Sequence, residues 1–136
     1  MTEIVVARVR HTDFKPVRHL LARTAHESIN AIEFHSDIIC HKLAFLAKRG
    51  PQSVGLIWVE KIEDGAIVLS RFAVDLPIPP QQIAYHLIME VMWAEPDASR
   101  VEMLVDEYAV DQQKFLSSCG FIGKPQGNSI LFSREA

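Results

Sequence analysis

Residues 54–94 read VGLIWVEKIEDGAIVLSRFAVDLPIPPQQIAYHLIMEVMWA. Val54–Glu60 and Ala66–Val74 are apolar and rich in β-branched residues, and Glu63-Asp64-Gly65 between them is a turn signal, so the pattern predicts an antiparallel hairpin. After a proline-rich turn, a helix is predicted over Pro80–Ala94, because apolar residues recur at i, i+3, i+4 and i+7: Ala84, Leu87, Ile88 and Val91. A hairpin followed by an amphipathic helix predicts a sheet with a helix packed against it.

The residues before this stretch predict one strand and two helices. Ile4–Val9 nearly alternates and fits a strand. Thr12 or Asp13 can then cap a helix over Phe14–Ala25. A second helix is predicted after the capping pair Ser36-Asp37. It would end at Gly50-Pro51 and carry three apolar residues on one face: Ile39, Leu43 and Leu46.

The residues after it predict the remaining elements. Val101–Val105 alternates as a strand, Asp111–Cys119 fits a short helix that ends at Gly120, and Ser129–Ser133 fits a closing strand. The order is therefore strand, helix, helix, two hairpin strands, helix, strand, helix, strand. It predicts an α/β (α+β) fold in which helices pack on the faces of one sheet, as a single domain over residues 1–136.

Composition narrows the class of protein. The 136 residues are 49% hydrophobic and 23% charged, which is typical of one globular domain with its own core. The net charge of −3, with lysine and arginine spread along the chain, argues against a nucleic-acid partner. The apolar run Ile83–Ala94 is interrupted and too short to cross a bilayer, and the N-terminus lacks the pattern of a secretory signal. We therefore expect a cytoplasmic protein without a membrane partner.

The residues that commonly bind metals or form disulfides carry no such pattern here. The two cysteines, Cys40 and Cys119, have apolar neighbours in predicted helices, so we interpret them as small buried side chains. The six histidines are scattered along the chain from His11 to His86. No metal site is predicted.

Three stretches resemble the GNAT superfamily of acyl-CoA-dependent N-acetyltransferases. Val54–Val59 resembles the strand written V-G-φ-φ-x-V, and Phe72–Val74 resembles the strand end that meets the pantetheine arm. Ala109–Phe121, AVDQQKFLSSCGF, resembles the closing helix written N-x-x-A-x-x-F-Y-E-K-x-G-F. The resemblance extends over the chain from Val54 onward, and over the earlier residues by element order alone.

The resemblance implies a mostly antiparallel mixed sheet, flanked by helices, whose central strands open into a V-shaped cleft. It implies acetyl-CoA or a related acyl-CoA as co-substrate and an unknown primary amine, on a small molecule or a protein, as acceptor. The residues expected along the pantetheine arm are Phe72, Ala73 and Val74. Those expected at the pyrophosphate, through backbone N–H groups at a helix N-terminus, are Gln81, Gln82, Ile83, Ala84 and Tyr85.

The chain departs from the GNAT pattern at two places. In the pyrophosphate signature, Pro79 stands at the Arg/Gln position and Gln82 at the first glycine, and Ala84 alone fits. In the closing helix, Leu116 replaces the tyrosine that protonates the leaving thiolate, and Ala109 replaces asparagine. The catalytic candidates are therefore Tyr108 as a substitute acid, and the strand-end carboxylates Glu60 and Asp106 as bases.

Two other interpretations remain open. In the first, the chain keeps the GNAT fold without catalysis and serves as a binding or assembly module, for instance as a homodimer through an exposed sheet edge. The losses at Gln82 and Leu116 favour this interpretation. The second is a different α+β ligand-binding fold with the same element order, which would lack splayed central strands.

Overall fold

A computed structural model describes residues 3–24, 43–75 and 80–135 of the chain. They form a seven-stranded sheet in the order β1-β2-β3-β4-β5-β7-β6. The strands are β1 (Ile4–Arg8), β2 (Ala44–Arg49), β3 (Gln52–Glu63), β4 (Ala66–Val74), β5 (Arg100–Asp106), β6 (Ile122–Gln126) and β7 (Ser129–Glu135). The helices are α1 (Phe14–Thr24), α2 (Pro80–Ala94) and α3 (Val110–Ser118). Every strand pair is antiparallel except β4 with β5, so the sheet is mixed, as predicted.

The hairpin and the helix predicted from residues 54–94 are confirmed. Glu63 pairs with Ala66 across a two-residue turn. Both turn residues have positive φ, 51° at Asp64 and 77° at Gly65, which is the backbone of a turn whose twist matches the flanking strands. β4 and α2 begin and end at the predicted residues.

The second predicted helix is wrong in its described part, because Ala44–Arg49 forms β2. The first four residues of β2 are all buried, since β2 lies between β1 and β3 and is covered on both faces. A continuously apolar run of this length fits both a buried strand and a helix, and pairing with distant strands decides between them. The rest of this prediction, residues 36–42, lies outside the described residues, as does Cys40.

Strand β6 was not predicted. It contains Gly123 and Pro125, which are both unfavourable in strands, and every residue in it is exposed. β6 forms a hairpin with β7, and Gly127 has a φ of 63° in the connecting turn. β6 is the last strand at one side of the sheet, where a proline costs no ladder hydrogen bond on the outer side.

Two clusters of buried side chains cover opposite faces of the sheet. On the face that we call the α2 face, Ile83, Leu87 and Val91 of α2 pack with residues of β2 to β5 and with Leu116 of α3. On the α1 face, α1 packs on the sheet through Val17, Leu20 and Leu21, against Leu46, Leu56, Trp58 and Ala73. β3 and β4 contribute to both clusters, so the centre of the sheet is buried on both faces.

Asp13 joins the start of α1 to strand β2. Its carboxylate accepts hydrogen bonds from the backbone N–H of Arg10 at 2.9 Å and from Nζ of Lys48 at 2.8 Å. The residue is 3% exposed, at the end of a short 3₁₀ turn over His11–Asp13. Asp13, one of the two residues proposed as a helix cap, thus closes the 3₁₀ turn that precedes α1 by accepting from Arg10, and it also binds a cation on β2.

Candidate functional site: a cleft between the central strands

The central strands β4 and β5 separate partway along their length. Their parallel pairing extends only from Ala66–Val68 on β4 to Arg100–Glu102 on β5. Beyond these residues β4 continues to Val74 and β5 to Asp106 without pairing to each other. The gap between them is a cleft of about 510 Å³.

Two β-bulges lie where the strands separate. Trp58 pairs with Arg71 and Val59 with Leu69, so Ser70 is an extra residue in β4; Val59 and Lys61 pair with Leu69 and Val68, so Glu60 is an extra residue in β3. A bulge bends its strand and increases the local twist. Ser70 lies two residues beyond Val68, the last residue of β4 that pairs with β5, so the bend falls where the two strands begin to separate.

The cleft is lined from both faces of the sheet. From the α2 face come Phe72 and Met103, together with Phe115 of α3, whose ring meets that of Phe72 edge to face at 5.0 Å. From the α1 face come Leu21 and Thr24 of α1 and the side chains of Arg71, Ala73, Leu104 and Asp106. Aromatic rings therefore line the α2-face side of the cleft, to which α3 also contributes Asp111, and the α1-face side carries Arg71 and Asp106.

The edge of β4 offers backbone groups to this cleft. The N–H of Asp75 donates to the carbonyl of Val54 at 2.8 Å, toward β3. Because backbone groups alternate in direction along an antiparallel strand, those of Phe72 and Val74 point the other way, into the cleft. An extended ligand arm can therefore pair with β4 as a further strand would, which is the arrangement expected for Phe72, Ala73 and Val74.

The loop after β5 places Tyr108 and Asp106 at the rim of the cleft. Oδ1 of Asp106 accepts the backbone N–H of Tyr108 at 2.8 Å, and the side-chain amide of Gln113 donates to the carbonyls of Asp106 and Glu107, both at 3.0 Å. Tyr108 is 82% exposed, and both residues line the cleft. The loop thus brings together a carboxylate and a phenol that the sequence analysis proposed for proton transfer.

Glu60 does not reach this cleft. It lines a shallow groove with Lys61, Ala94 and Glu95, near the C-terminal end of α2. The sequence analysis ended β3 at Glu60 and assumed that the strand end opens into the cleft, but β3 continues to Glu63 and its cleft end is near Gly55, which pairs with Val74. Of the two strand-end carboxylates, Asp106 alone lies at the cleft.

The five residues expected at the pyrophosphate lie at the start of α2. Gln81 and Gln82 are exposed in the first turn, where helical N–H groups lack partners within the helix, and Pro80 has no N–H. Ile83 and Ala84 are buried against the sheet, and the ring of Tyr85 lies 5.9 Å from the guanidinium of Arg134. Backbone donors for an anion are therefore expected first from Gln81 and Gln82; the side chains of Ile83 and Ala84 pack into the core, and Tyr85 is 53% exposed.

The structure shows the surroundings of Leu116 and Ala109, the two positions at which the closing helix departs from the GNAT pattern. Leu116 is completely buried and packs with Phe72 and Phe121 in the core of the α2 face, so no acid is available at that position. Ala109 precedes the helix without a side-chain cap. Any acid at the cleft must come from another position, and Tyr108 is the nearby phenol.

The sequence analysis missed Ser70, Arg71 and Thr24 as cleft residues. Arg71 is half-buried, and it is the one lysine or arginine among the described residues that line the cleft. A signal was present, because Ser70-Arg71 interrupts an otherwise apolar strand that is buried on both sides of the pair. Charged residues are rarely buried without a partner or a function.

Other reactive side chains do not extend the site. Burial raises the pKa of the Cys119 thiol, and a hydrogen bond with Ser118 and the charge of Arg134 offset this rise only in part, so the thiol stays protonated near neutral pH. Within residues 3–24, 43–75 and 80–135, no group of histidine, cysteine or acidic residues has the arrangement of a metal site. No helix in these ranges is long and apolar enough to span a membrane.

We compared the fold of this chain with those of known protein structures. The sequence itself matches no protein-family model and no curated protein. An acetyltransferase from Thermus thermophilus superposes with a TM-score of 0.75 at 13% identity over 100% of both chains. The PaiA N-acetyltransferase of Thermoplasma acidophilum, solved with coenzyme A, gives 0.74 at 12% identity over 98% of this chain and 99% of that one.

A plant structure agrees with these two. NAA60 from Arabidopsis thaliana, solved with acetyl-CoA, superposes with a TM-score of 0.65 at 14% identity, over 98% of this chain and all of the other. The chain therefore has the GNAT acetyltransferase fold over nearly its whole length, which confirms the resemblance of the sequence at the level of the fold. The splayed strands exclude the alternative of an α+β fold without them.

Proposed function

We propose that this protein is an acyl-CoA-dependent N-acyltransferase that transfers an acetyl group from acetyl-CoA to a primary amine. The observation that carries the proposal is the separation of β4 from β5, which leaves the backbone of Phe72 and Val74 facing a cleft of about 510 Å³. The chain also resembles in fold two acetyltransferases whose structures were solved with coenzyme A and with acetyl-CoA, and this likeness supports the proposal.

The residues at the cleft fit such a co-substrate. Phe72, Ala73 and Val74 offer a free strand edge for the amides of a pantetheine arm, and Gln81 and Gln82 offer N–H groups to a pyrophosphate at the start of α2. Gln82 is exposed, so its side chain points to solvent and leaves room beside the backbone. Acetyl-CoA supplies an activated thioester: the amine nitrogen bonds to the carbonyl carbon, the carbon–sulfur bond breaks, and sulfur keeps the electron pair and takes a proton.

Asp106 and Tyr108 are suited to the two proton transfers of this reaction. An acceptor amine that arrives as an ammonium must lose a proton before it can attack, and Oδ2 of Asp106 has no partner among the described contacts, whereas Oδ1 is held by the loop. The Tyr108 phenol gives its proton to the leaving sulfur and regains one from the nitrogen. One proton is released to solvent for each acetyl group transferred.

Ligand-induced stabilisation tests the proposal most directly. A ligand that binds only the folded state at 100 times its Kd adds about 2.7 kcal/mol to the free energy of unfolding, or on the order of 8 °C in Tm for a chain of this size. We expect this shift with acetyl-CoA and free CoA. A Gln82→Glu variant, which adds a negative charge where the phosphates bind, should weaken binding roughly fivefold, whereas Gln126→Glu on β6 should not. No shift with acetyl-CoA, CoA or a longer acyl-CoA would contradict the proposal.

The role of Tyr108 requires a kinetic test. Tyr108→Phe keeps the ring and removes the acid, so kcat should fall about 100-fold, the lower end of what general acid catalysis contributes. Ser118→Ala removes a hydroxyl from the other end of α3 and serves as the control. Release of the CoA thiol reports the rate. An unchanged kcat in Tyr108→Phe would assign the proton transfer to water.

A second candidate function is a binding or assembly module that has kept the fold without catalysis. The observation that favours it is the complete burial of Leu116 at the position where the family's tyrosine stands. This candidate predicts no acetyl transfer to any amine, with or without CoA binding. The thermal-shift and thiol-release measurements together distinguish the two functions.

A further inference from the structure

Strand β1 lies at one end of the sheet and offers backbone groups to a further strand. Within the described part of the chain, β1 pairs with β2 alone. The N–H of Val9 donates to the carbonyl of Ala44, toward β2. Because backbone groups alternate in direction along an antiparallel strand, those of Ile4, Val6 and Arg8 point outward. An edge of this kind is a template for pairing with another strand.

The two end strands of the sheet differ in how they are protected from such pairing. Natural end strands commonly carry lysine or proline within the strand, because a charge or a missing N–H opposes a further strand. β6 carries Lys124 and Pro125. β1 carries neither: its middle, Val5–Ala7, is apolar, and its register with β2 is regular from Ile4 to Arg8. β1 is therefore the end strand that is suited to pairing.

Val5 and Ala7 place apolar surface beside this edge. In the register with β2, Val5 lies opposite Lys48 and Ala7 opposite Leu46, whose side chain belongs to the α1-face cluster, so both point to the α1 face. Val5 is 59% exposed, and Ala7 is exposed as well. Both line a cavity of about 620 Å³ that has Leu46 and Lys48 in its wall. A strand added at the edge would cover part of this apolar surface, which favours its addition.

The charges at the two ends of β1 indicate which strand would pair with it. Glu3 precedes the strand and Arg8 ends it, and both residues are exposed. In an antiparallel pair of two β1 strands, the acidic end of one copy lies beside the basic end of the other, whereas a parallel pair would place like charges side by side. With a two-fold axis at Val6, Ile4 lies opposite Arg8 of the second copy, so the outward backbone groups of both strands find partners.

We propose that the protein forms a two-fold symmetric homodimer in which β1 pairs antiparallel with β1 of a second copy. In this register Val5 of each copy lies opposite Ala7 of the other on the α1 face. β2 and β3 separate β1 from β4, so the cleft stays accessible in both copies. Two short strands bury less than the roughly 1,600 Å² of a standard interface, so the dimer should have a micromolar Kd. The inference goes beyond the proposed acyltransferase function and does not depend on it.

The oligomeric state in solution tests the inference. In analytical ultracentrifugation from micromolar to millimolar concentration, we expect a reversible equilibrium between monomer and dimer. Val5→Lys puts a charge in the middle of the edge and should raise the dimer Kd at least about tenfold. Ile122→Lys is the matched control, because Ile122 is 71% exposed on the other end strand, β6, and it should leave the Kd unchanged. Neither residue lines the cleft, so the Tm shift with acetyl-CoA should be the same in both variants.

A charge exchange tests the direction of the pairing. Glu3→Arg and Arg8→Glu each place like charges at both ends of the antiparallel pair, so each variant alone should raise the Kd roughly tenfold. In an equimolar mixture of the two variants, the mixed dimer has opposite charges at both ends and should form with about the wild-type affinity.

Three results would overturn the inference: a wild-type protein that stays monomeric at millimolar concentration, a dimer that Val5→Lys leaves intact, and a mixture that does not regain the affinity. Far-UV circular dichroism shows whether each variant is folded. Should Val5→Lys not fold, the mixture of Glu3→Arg and Arg8→Glu still decides the question, because both substitutions are at exposed positions.

Discussion

Asp13 is a buried carboxylate that holds together the start of α1 and strand β2. Burial alone would raise its pKa, but the hydrogen bonds from Lys48 and from the backbone of Arg10, with the charges of both residues, lower it further than burial raises it. The pKa in the folded protein therefore lies below the ordinary value. A carboxylate with a lowered pKa stabilises the fold where it is ionised, so this contribution is complete above about pH 4 and is lost as the pH falls through the folded pKa.

Asp13→Asn should lower the free energy of unfolding by about 2 kcal/mol at pH 7, because a buried hydrogen-bonded charge is lost and Lys48 keeps its own. The difference from the wild type should begin to shrink below about pH 4, where the carboxyl of the unfolded chain becomes protonated, and should go on shrinking as the pH falls through the lowered pKa of the folded protein. Urea denaturation at pH 7 and at pH 3 measures both effects.

The matched control is Glu63→Gln. Glu63 also pairs with a lysine, Nζ of Lys61 at 2.9 Å, but the two side chains are 57% and 54% exposed. Exposed ion pairs contribute about 0–1 kcal/mol. An equal loss in both variants, or a difference for Asp13→Asn that grows as the pH falls, would contradict our account of Asp13.

Single residues also determine how much of the cleft could be predicted. Phe72 and Val74, expected there from the resemblance, and Asp106, expected there as the end of a strand, all line the cleft. Glu60 does not line it, because β3 continues to Glu63 and its cleft end is near Gly55. Arg71 was missed although Ser70-Arg71 interrupts an apolar strand, because nothing in the composition shows that a bulge adds Ser70. Leu116 could be identified as a departure by its residue type, whereas its burial required the packing of α3.

At the scale of elements, how well a strand could be predicted depended on how many of its faces are buried. β4 and α2 have clear periods and boundaries, so the sequence was sufficient for both. β2 is apolar on both faces because helices cover both, which removes the alternation that would distinguish it from a helix. β6 has the opposite difficulty: it is exposed throughout, so it has no apolar pattern, and its pairing with β7 alone defines it.

The free edge of β4 predicts a pattern of amide hydrogen exchange. The amides of Phe72 and Val74 point into the cleft and should exchange faster than those of Ala73 and Asp75, which point toward β3. Acetyl-CoA should slow the first pair, because the ligand supplies the missing acceptors. Exchange followed by NMR, with and without acetyl-CoA, measures both effects.

Ala73 and Asp75 are internal controls for this experiment, since they lie in the same segment with the opposite direction. Their exchange should change little with ligand apart from the overall gain in stability. Equal protection of all four amides in the free protein would mean that the edge of β4 is covered, and the proposed place for the pantetheine arm would be wrong.

At the scale of the whole molecule, the two core clusters share strands β3 and β4. Neither cluster can lose its packing without exposing the other face of the same strands, so we predict one cooperative unfolding transition, as expected for the single domain predicted from the sequence.

The two tryptophans allow this prediction to be measured. Trp93 is 71% exposed, whereas Trp58 is 7% exposed within the α1-face cluster. In a Trp93→Phe variant, which should change stability by less than about 0.5 kcal/mol, fluorescence reports on Trp58 alone. Its urea transition should coincide with that of far-UV circular dichroism; a separate, earlier fluorescence transition would indicate that α1 unfolds on its own.

The extra residue at Ser70 also has a consequence for how this strand can change in evolution. Leu69 and Phe72 both face α2 although they are three positions apart, because the bulge absorbs one residue and restores the alternation after it. Loss of Ser70 would keep every other side chain of β4 on its present face while removing the bend. Loss of any residue between Arg71 and Val74 would exchange the faces of its neighbours. Insertion or deletion at position 70 can thus change the width of the cleft between β4 and β5 without changing which side chains of β4 lie on each face of the sheet.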